Sequence, residues 1–212
     1  MSDEIWVSEA PLRSENSKVT FNSFVPVDET FDESYYFAKQ SCQKNASGEK
    51  LTQENFPEHI YSNKTSKGRK QEFRDFFFAR GYNVISKKAA DVLRNFELGN
   101  CTLFPVKISK SDMVTPAGEG WFCLNYGNIK NTIVPATPIG MMPIPNVDKK
   151  DLFIIGGYLK DDQLSVLSSA ADGPDIWVDP RMLSGFFVSG RLADAIKSAG
   201  LRNFFLSRCK LV

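Results

Sequence analysis

The sequence predicts an α+β fold in which two related helix–strand halves pack on a mixed or antiparallel sheet. The first observation is a repeat, because residues 84–108 and 187–211 align when one segment is shifted by 103 positions. The second is that a capping serine and an apolar helical stripe fall in register in the two copies. The aligned identities are Ser86/Ser189, Ala90/Ala193, Asp91/Asp194, Leu98/Leu201, Asn100/Asn203, Leu103/Leu206 and Lys107/Lys210. Two distant copies are too few for a solenoid and indicate duplication of a half-domain.

The first copy reads as a helix followed by a strand. Ser86 is suited to the N-cap, since its hydroxyl can accept from the free N–H groups of the first turn. Gly99 is suited to end the helix. The strand that follows, CTLFPVKI, contains Pro105, which cannot donate to a ladder and therefore predicts an edge strand or a bulge. The apolar stripe of the helix consists of Ala89, Val92, Leu93 and Phe96.

The second copy repeats this pattern position by position. Ser189 is the predicted N-cap, Gly200 the predicted stop, and NFFLSRCKLV the predicted strand. The stripe consists of Leu192, Ala195, Ile196 and Ala199.

Other segments supply further elements. IWVSEA, KVTFNSFVPV, WFCLN, NTIV, DLFIIGGYLK and DIWVDPRML predict strands, because they are rich in β-branched and aromatic residues. FDESYYFAKQSCQK predicts a short helix that Asp32 could cap. DDQLSVLSSAADGPD predicts a polar connection.

These elements predict a division of the chain along its length. Residues 1–72 form an N-terminal segment of strands and loops that belongs to the same fold. Residues 73–134 form the first half and residues 146–212 the second. Residues 135–145 are rich in proline, which excludes regular structure and predicts a connection between the halves.

The composition restricts the class of protein. The chain has 212 residues, 42% of them hydrophobic, which is enough for a substantial core. No apolar run reaches the roughly 20 residues that span a bilayer, and the acidic start lacks the features of a secretory signal, so a cytoplasmic location is expected. Four scattered cysteines and a single histidine, His59, argue against a closed zinc site, and neither a metal nor a cofactor is expected.

The sequence shows no recognisable catalytic constellation, and the chain is predicted not to be an enzyme. His59 has no nucleophile motif beside it in the sequence, and phosphate-binding glycine motifs are absent. The alternative enzymatic interpretation uses carboxylates, with Asp179 beside Arg181 at a strand end. The competing interpretation of Asp179 is a turn in which its carboxylate accepts backbone N–H bonds.

The charge of the chain is unevenly distributed. Residues 1–58 carry 5 basic and 11 acidic side chains, whereas residues 59–110 carry 11 basic and 4 acidic ones. Such asymmetry can orient a partner, or the two segments can face each other within the fold. The basic segment 64–74, followed by three phenylalanines, raises nucleic-acid binding as a second alternative. The overall isoelectric point of about 7.6 argues against it.

Three elements in order give the chain a resemblance to a known family. The capped helix VSGRLADAIKSAGL before the last strand, its earlier echo VISKKAADVLRNF, and the central WFCLNYGNI resemble the immunity proteins of bacterial polymorphic toxins, over roughly residues 73–212. Gly190 and Tyr126 depart from the residues usual in that family. The resemblance implies a non-catalytic cytoplasmic inhibitor in bacterial competition, which forms a protein–protein complex with a cognate toxin domain.

The family supplies no site residues that can be carried over, and the oligomeric state stays open. Contacts with the toxin are therefore predicted from charge and expected exposure in two regions of loop. They are Lys64, Lys67, Arg69, Asp161, Asp162, Asp172 and Asp175.

Overall fold

The structure of the protein, a computed structural model, describes ten stretches of the chain. They are residues 4–13, 21–23, 31–62, 73–79, 81–110, 112–118, 120–134, 141–144, 152–183 and 185–212. These stretches contain three α-helices and strands in mixed and antiparallel sheets, so the predicted α+β class is confirmed. The helices are α1 (Phe31–Ala46), α2 (Lys87–Leu93) and α3 (Gly190–Ser198).

The strands pair into two main sheets. In chain order they are β1 (Ile5–Ser8), β2 (Phe21–Ser23), β3 (His59–Ser62), β4 (Phe76–Ala79), β5 (Tyr82–Ser86), β6 (Thr102–Ser109), β7 (Trp121–Asn125), β8 (Met141–Pro143), β9 (Phe153–Ile155), β10 (Ser165–Val166), β11 (Ile176–Trp177), β12 (Phe186–Ser189), β13 (Leu206–Arg208) and β14 (Lys210–Leu211). The larger sheet has the order β2-β3-β6-β7-β5-β4 and is mixed, since β3 and β6 run parallel. The smaller has the order β11-β12-β1-β13 and is antiparallel. The remaining strands form the ribbons β8-β9 and β10-β14.

Both predicted N-caps are confirmed. Ser86 Oγ accepts from the backbone N–H of Ala89 at 3.1 Å, and Ser189 Oγ accepts from that of Leu192 at 3.3 Å. Gly200, with φ +62°, follows the end of α3 as expected. The predicted stop of α2 at Gly99 is wrong, because that helix ends at Leu93.

The early end of α2 has a local cause. The side-chain amide of Asn95 donates to the carbonyls of Asp91 and Val92, which would otherwise accept from the next turn. The N–H of Phe96 bonds instead to the carbonyl of Leu93, three residues back, so the chain tightens and leaves the helix.

Three predictions about the strands need correction. Pro105 lies neither on an edge strand nor in a bulge, because β6 lies between β3 and β7 in unbroken register. Pairing with β3 begins only at Lys107, so no partner on that side needs an N–H from Pro105. The expected polar connection 161–175 contains β10 and buries Leu164, and the expected last strand is divided into β13 and β14.

The two copies of the repeat match strand for strand. In the first, β4 pairs with β5 and places Phe76 opposite Ile85. In the second, β11 pairs with β12 and places Ile176 opposite Val188. A shift of 103 positions carries Ile85 onto Val188, so the hairpin before each capped helix belongs to the repeat as well.

The fourth strand of the repeat comes from different parts of the chain in the two copies. In the first, Phe122 of β7 pairs with Ile85 and Pro105. In the second, Trp6 of β1 pairs with Val188 and Arg208, the residues that the same shift of 103 predicts. The strand that completes the second unit therefore comes from the N-terminal segment.

A pair of equivalent contacts supports this correspondence. The guanidinium of Arg94 lies 4.6 Å from the centre of the Phe122 ring, and the ammonium of Lys197 lies 3.0 Å from the centre of the Trp6 ring. Arg94 and Lys197 are related by the shift of 103, so each unit places a cation from the end of its helix over the aromatic residue of its fourth strand.

The two units share one core and are joined by reciprocal hydrogen bonds. Helices α2 and α3 contribute Leu93 and Ile196 to the same buried cluster. Asp75 accepts from the hydroxyl of Ser86 and from the backbone N–H that follows α3, at Arg202. Asp175 likewise accepts from the hydroxyl of Ser189 and from the backbone N–H that follows α2, at Glu97. Each aspartate thus ties the cap of one helix to the turn after the other.

The N-terminal segment contributes to both sheets, since β1 joins the smaller one and β2 and β3 join the larger one. Helix α1 is held to the larger sheet by Asn45, whose amide donates to the carbonyl of Leu124 and accepts from Asn125 and from the N–H of Tyr126. Most of the Pro-rich connection lies outside the described residues, but Met141–Pro143 form β8 and pair with β9, so the expectation that this connection contains no regular structure is wrong. The division of the chain at residues 135–145 stays a prediction.

We expect the variants Ser86→Ala and Ser189→Ala each to lower the free energy of unfolding by about 1–2 kcal/mol, the upper range for a lost N-cap. The upper range applies because each hydroxyl also donates to Asp75 or Asp175. Urea unfolding of the two single variants and the double variant measures this. A control, Ser47→Ala, removes an exposed hydroxyl that bonds only locally. Losses below about 0.3 kcal/mol at both caps would contradict the expectation.

Candidate partner-binding surface

The structure does not test the predicted basic contacts. Lys64, Lys67 and Arg69 lie outside the described residues, which end at Ser62 and resume at Phe73. The chain leaves β3 at Ser62, beside the end of β6, because Tyr61 is paired with Ser109 in parallel.

The predicted contacts Asp161 and Asp162 lie in an exposed turn and help to hold β13. The carboxylate of Asp161 accepts from the N–H of Arg208, and that of Asp162 forms an ion pair with the Arg208 guanidinium at 2.7 Å. The hydrogen bond from Arg208 lowers the pKa of Asp162. Both side chains face solvent, and their role in partner binding stays a prediction.

The predicted contacts Asp172 and Asp175 differ in their surroundings. Asp172 is exposed, and its backbone carbonyl accepts from the Lys130 ammonium at 2.7 Å. Asp175 is fully buried, so the expectation that it is exposed is wrong. Its carboxylate accepts from Ser189, from the N–H of Glu97 and from the Arg191 guanidinium at 2.6 and 2.8 Å. Through these hydrogen bonds Asp175 joins the two units.

Asp179, which the alternative enzymatic interpretation used as a catalytic carboxylate, is surrounded by hydrogen-bond donors of the fold. It is fully buried, and its Oδ2 accepts from the N–H groups of Thr132 and Ile133 at 2.7 and 2.8 Å. The Arg181 guanidinium binds both oxygens of the carboxylate. Burial raises the pKa of Asp179, but the bonds from Arg181, Ile133 and Thr132 together bring it below its usual value. The Asp179 carboxylate thus accepts hydrogen bonds from within the fold, which agrees with the interpretation that it accepts backbone N–H bonds.

One contact of His59 was not visible in the sequence. Parallel pairing of β3 and β6 places its Nε2 2.7 Å from the hydroxyl of Ser109. Burial and the neighbouring charge of Lys107 lower the pKa of His59, which favours the neutral ring. Among the described residues no carboxylate bonds to the other ring nitrogen, the place that the orienting group of a catalytic triad occupies.

The loop between β6 and β7, described over residues 110–118 without Ser111, exposes two apolar side chains. The backbone closes it, since the N–H of Lys110 donates to the carbonyl of Thr115 at 2.8 Å. The carboxylate of Asp112 stabilises the loop by accepting from the N–H groups of Val114 and Thr115, at 3.0 and 2.8 Å, and from the Thr115 hydroxyl. These bonds hold the pKa of Asp112 below its usual value.

The tip of this loop is apolar. The exposed fractions of Met113 and Val114 are 55% and 81%. Met113 has φ +65°, a left-handed conformation that is unfavourable for a residue other than glycine. Lys107 and Lys110 are exposed at the base of the loop. The tip is therefore a small apolar surface held in a strained conformation beside positive charge.

This exposed loop is not among the contacts predicted from the sequence, although it carries a recognisable sequence signal. The segment KSDMVTP joins two strands and contains an aspartate, a threonine three residues later and then a proline. That spacing is typical of a turn in which an aspartate accepts from the following N–H groups. Placed at the centre of such a turn, Met113 and Val114 are expected to be exposed.

The described part of the chain contains neither a membrane-spanning helix nor a cluster of metal ligands. Every helix there is too short or too polar to span a bilayer. In the same stretches, His, Cys, Asp and Glu side chains do not come together in groups of three or more that could hold a metal ion.

These features define the class: an α+β protein of two repeated units whose buried carboxylates serve the fold and whose loop tip is exposed. The chain belongs to the immunity protein family Imm11, whose family model matches residues 10–210. The predicted family is thus confirmed, and the match extends beyond residues 73–212 to nearly the whole chain. A comparison with curated proteins found no match.

Proposed function

We propose that this protein binds a cognate bacterial toxin domain and neutralises it by forming a protein–protein complex, without catalysis. The observation that carries the proposal is the family match over residues 10–210. The geometry supports it, because Asp179 and Asp175, the buried carboxylates considered for chemistry or contact, are saturated by donors within the fold.

The complex forms in the cytoplasm, where the protein protects the cell that makes it from the toxin of a competing cell. Exposed Asp161, Asp162 and Asp172 and the basic residues Lys64, Lys67 and Arg69 are proposed contacts. Charged residues at the rim of an interface mainly affect the rate of association and its dependence on salt.

Co-expression tests this function. A neighbouring open reading frame is expected to encode the toxin domain, which should arrest growth when it is expressed alone. We expect the full chain to restore growth and to elute with an inactivated toxin domain as one complex in size-exclusion chromatography. A matched control is Asp179→Ala, which should lose protection because the fold is destabilised. Growth arrest that the wild-type chain does not relieve would refute the proposal.

A further inference from the structure

We propose that the loop between β6 and β7 enters a concave site on the toxin domain, a site with an apolar floor and an acidic rim. This inference rests on the proposed function, since the occupant is the toxin. It assigns the contact to Met113 and Val114 at the tip and to Lys107 and Lys110 at the base.

The first argument is that the loop is ordered before binding. Asp112 accepts three hydrogen bonds from within the loop, and the backbone bond from Lys110 to Thr115 closes its base. A loop that is already fixed loses little conformational entropy when a partner binds it. Met113 keeps a left-handed φ of +65° in this arrangement, and strained residues of this kind cluster at functional sites.

The second argument is the chemistry of the tip. Val114 is 81% exposed and Met113 55%, so two adjacent apolar side chains bury little of their surface within the fold. Methionine adapts its shape to a pocket, whereas valine is stiff. Together they suit a shallow apolar cavity.

The third argument comes from the repeat. In the second unit, β13 and β1 occupy the places of β6 and β7 without a connection of this kind. The four-stranded unit is thus built without such a loop. The repeated fold therefore does not require the particular residues that are found at positions 110–118.

The fourth argument is charge. Lys107 and Lys110 are exposed at the base of the loop, and their two positive charges exceed the single negative charge of Asp112. A surface with this excess of positive charge favours an acidic rim around the cavity that receives the tip.

The test measures affinity for the inactivated toxin domain and the stability of each variant. The double variant Met113→Gly/Val114→Ser is expected to weaken Kd by at least about tenfold, the effect of losing a hot spot. Its melting temperature should equal or exceed that of the wild type, because glycine relieves the strain at φ +65°. A weaker affinity with an unchanged melting temperature would show that these side chains contact the toxin domain and do not act by stabilising the fold.

Two controls match the double variant. Met142→Ser and Leu183→Ser alter exposed apolar residues elsewhere, with exposed fractions of 53% and 45%, and should leave Kd within twofold of the wild type. Asp112→Ala should weaken binding by freeing the loop. Asp112→Asn should restore most of it, because an amide oxygen can still accept from Val114 and Thr115.

Charge reversal tests the rim. Lys107→Glu/Lys110→Glu should slow association at low salt and have less effect at high salt.

The outcomes separate the two proposals. If the wild-type chain binds and protects while the double variant binds within twofold of it, or no more weakly than the Met142 and Leu183 controls, the loop inference is overturned and the immunity function stands. If the wild-type chain neither binds nor protects, the proposed function itself fails. Slower dissociation or unchanged association after charge reversal would overturn the acidic rim.

Discussion

Replacing Asp179 with alanine is expected to lower the free energy of unfolding by about 3–5 kcal/mol, the usual loss when one partner of a buried ion pair is removed. The variant leaves the buried N–H groups of Thr132 and Ile133 without their acceptor and deprives Arg181 of its carboxylate. Out of a typical total of about 5–15 kcal/mol, such a loss brings the protein close to unfolding at physiological temperature. Urea unfolding, followed by circular dichroism, measures it.

Two further variants make this experiment specific. Asp194→Ala removes an exposed carboxylate on α3 and should change stability little. Asp179→Asn keeps an oxygen that can accept from the two N–H groups but loses the charge that pairs with Arg181, so its stability should fall between those of the alanine variant and the wild type. An alanine variant within about 1 kcal/mol of the wild type would contradict the structural role.

The same residue predicts a dependence on pH. Because the pKa of Asp179 is lowered in the folded protein, the charged carboxylate stabilises the fold above its unfolded pKa of about 3.9. As the pH falls through the folded pKa, which lies below that value, this stabilisation is lost. The difference in stability between wild type and Asp179→Asn should therefore be constant near neutral pH and shrink below about pH 4. A difference that grows on acidification would contradict it.

The repeat could be predicted from sequence because its signals are local. The hydroxyls of Ser86 and Ser189 each accept from a backbone N–H only three residues further along the chain. The apolar stripes of the two helices follow directly at helical spacing. The strand that completes each unit could not be predicted in this way. Residues 5–8 and 121–124, IWVS and WFCL, share no identity at matching positions, and only the pairing partners reveal that they are equivalent.

The predicted contacts illustrate the limit of arguments from charge. Asp172 and Asp175 lie in the same Gly- and Pro-containing segment, yet only Asp172 is exposed. The carboxylate of Asp175 is held in the interior by the backbone N–H of Glu97, 78 residues away in sequence, and by the hydroxyl of Ser189 at the start of α3. Local composition does not contain that partner. The loop tip at Met113 and Val114, by contrast, follows from a local turn signal and could have been predicted.

The place of β1 in the second unit predicts the effect of removing or relocating it. Deleting residues 1–13 should abolish cooperative folding, because β1 lies between β12 and β13 and buries Ile5 and Val7 completely. Each of these side chains contributes about 1.5–3 kcal/mol by burial, and hydrogen bonds to both neighbouring strands are lost as well. Together these losses approach the total stability of a typical domain.

Relocating the strand should preserve the fold. In the first unit the chain runs from β6 through a connection into β7, and β13 and β1 are the equivalent pair. A circular permutant that begins at residue 14 and carries residues 1–13 after Val212, through a linker of about ten glycines and serines, would give the second unit the same order. We expect this permutant to unfold cooperatively, with a melting temperature within about 5 °C of the wild type.

A single substitution shows whether the relocated strand occupies its original place. Val7 is fully buried between β12 and β13, so Val7→Asp is expected to abolish folding both in the native order and in the permutant. A deletion variant that still unfolds cooperatively, or a permutant insensitive to Val7→Asp, would show that β1 does not complete the unit. Agreement of all three variants would mean that the protein consists of two copies of one hairpin–helix–strand unit. The two copies differ in where along the chain the fourth strand is supplied.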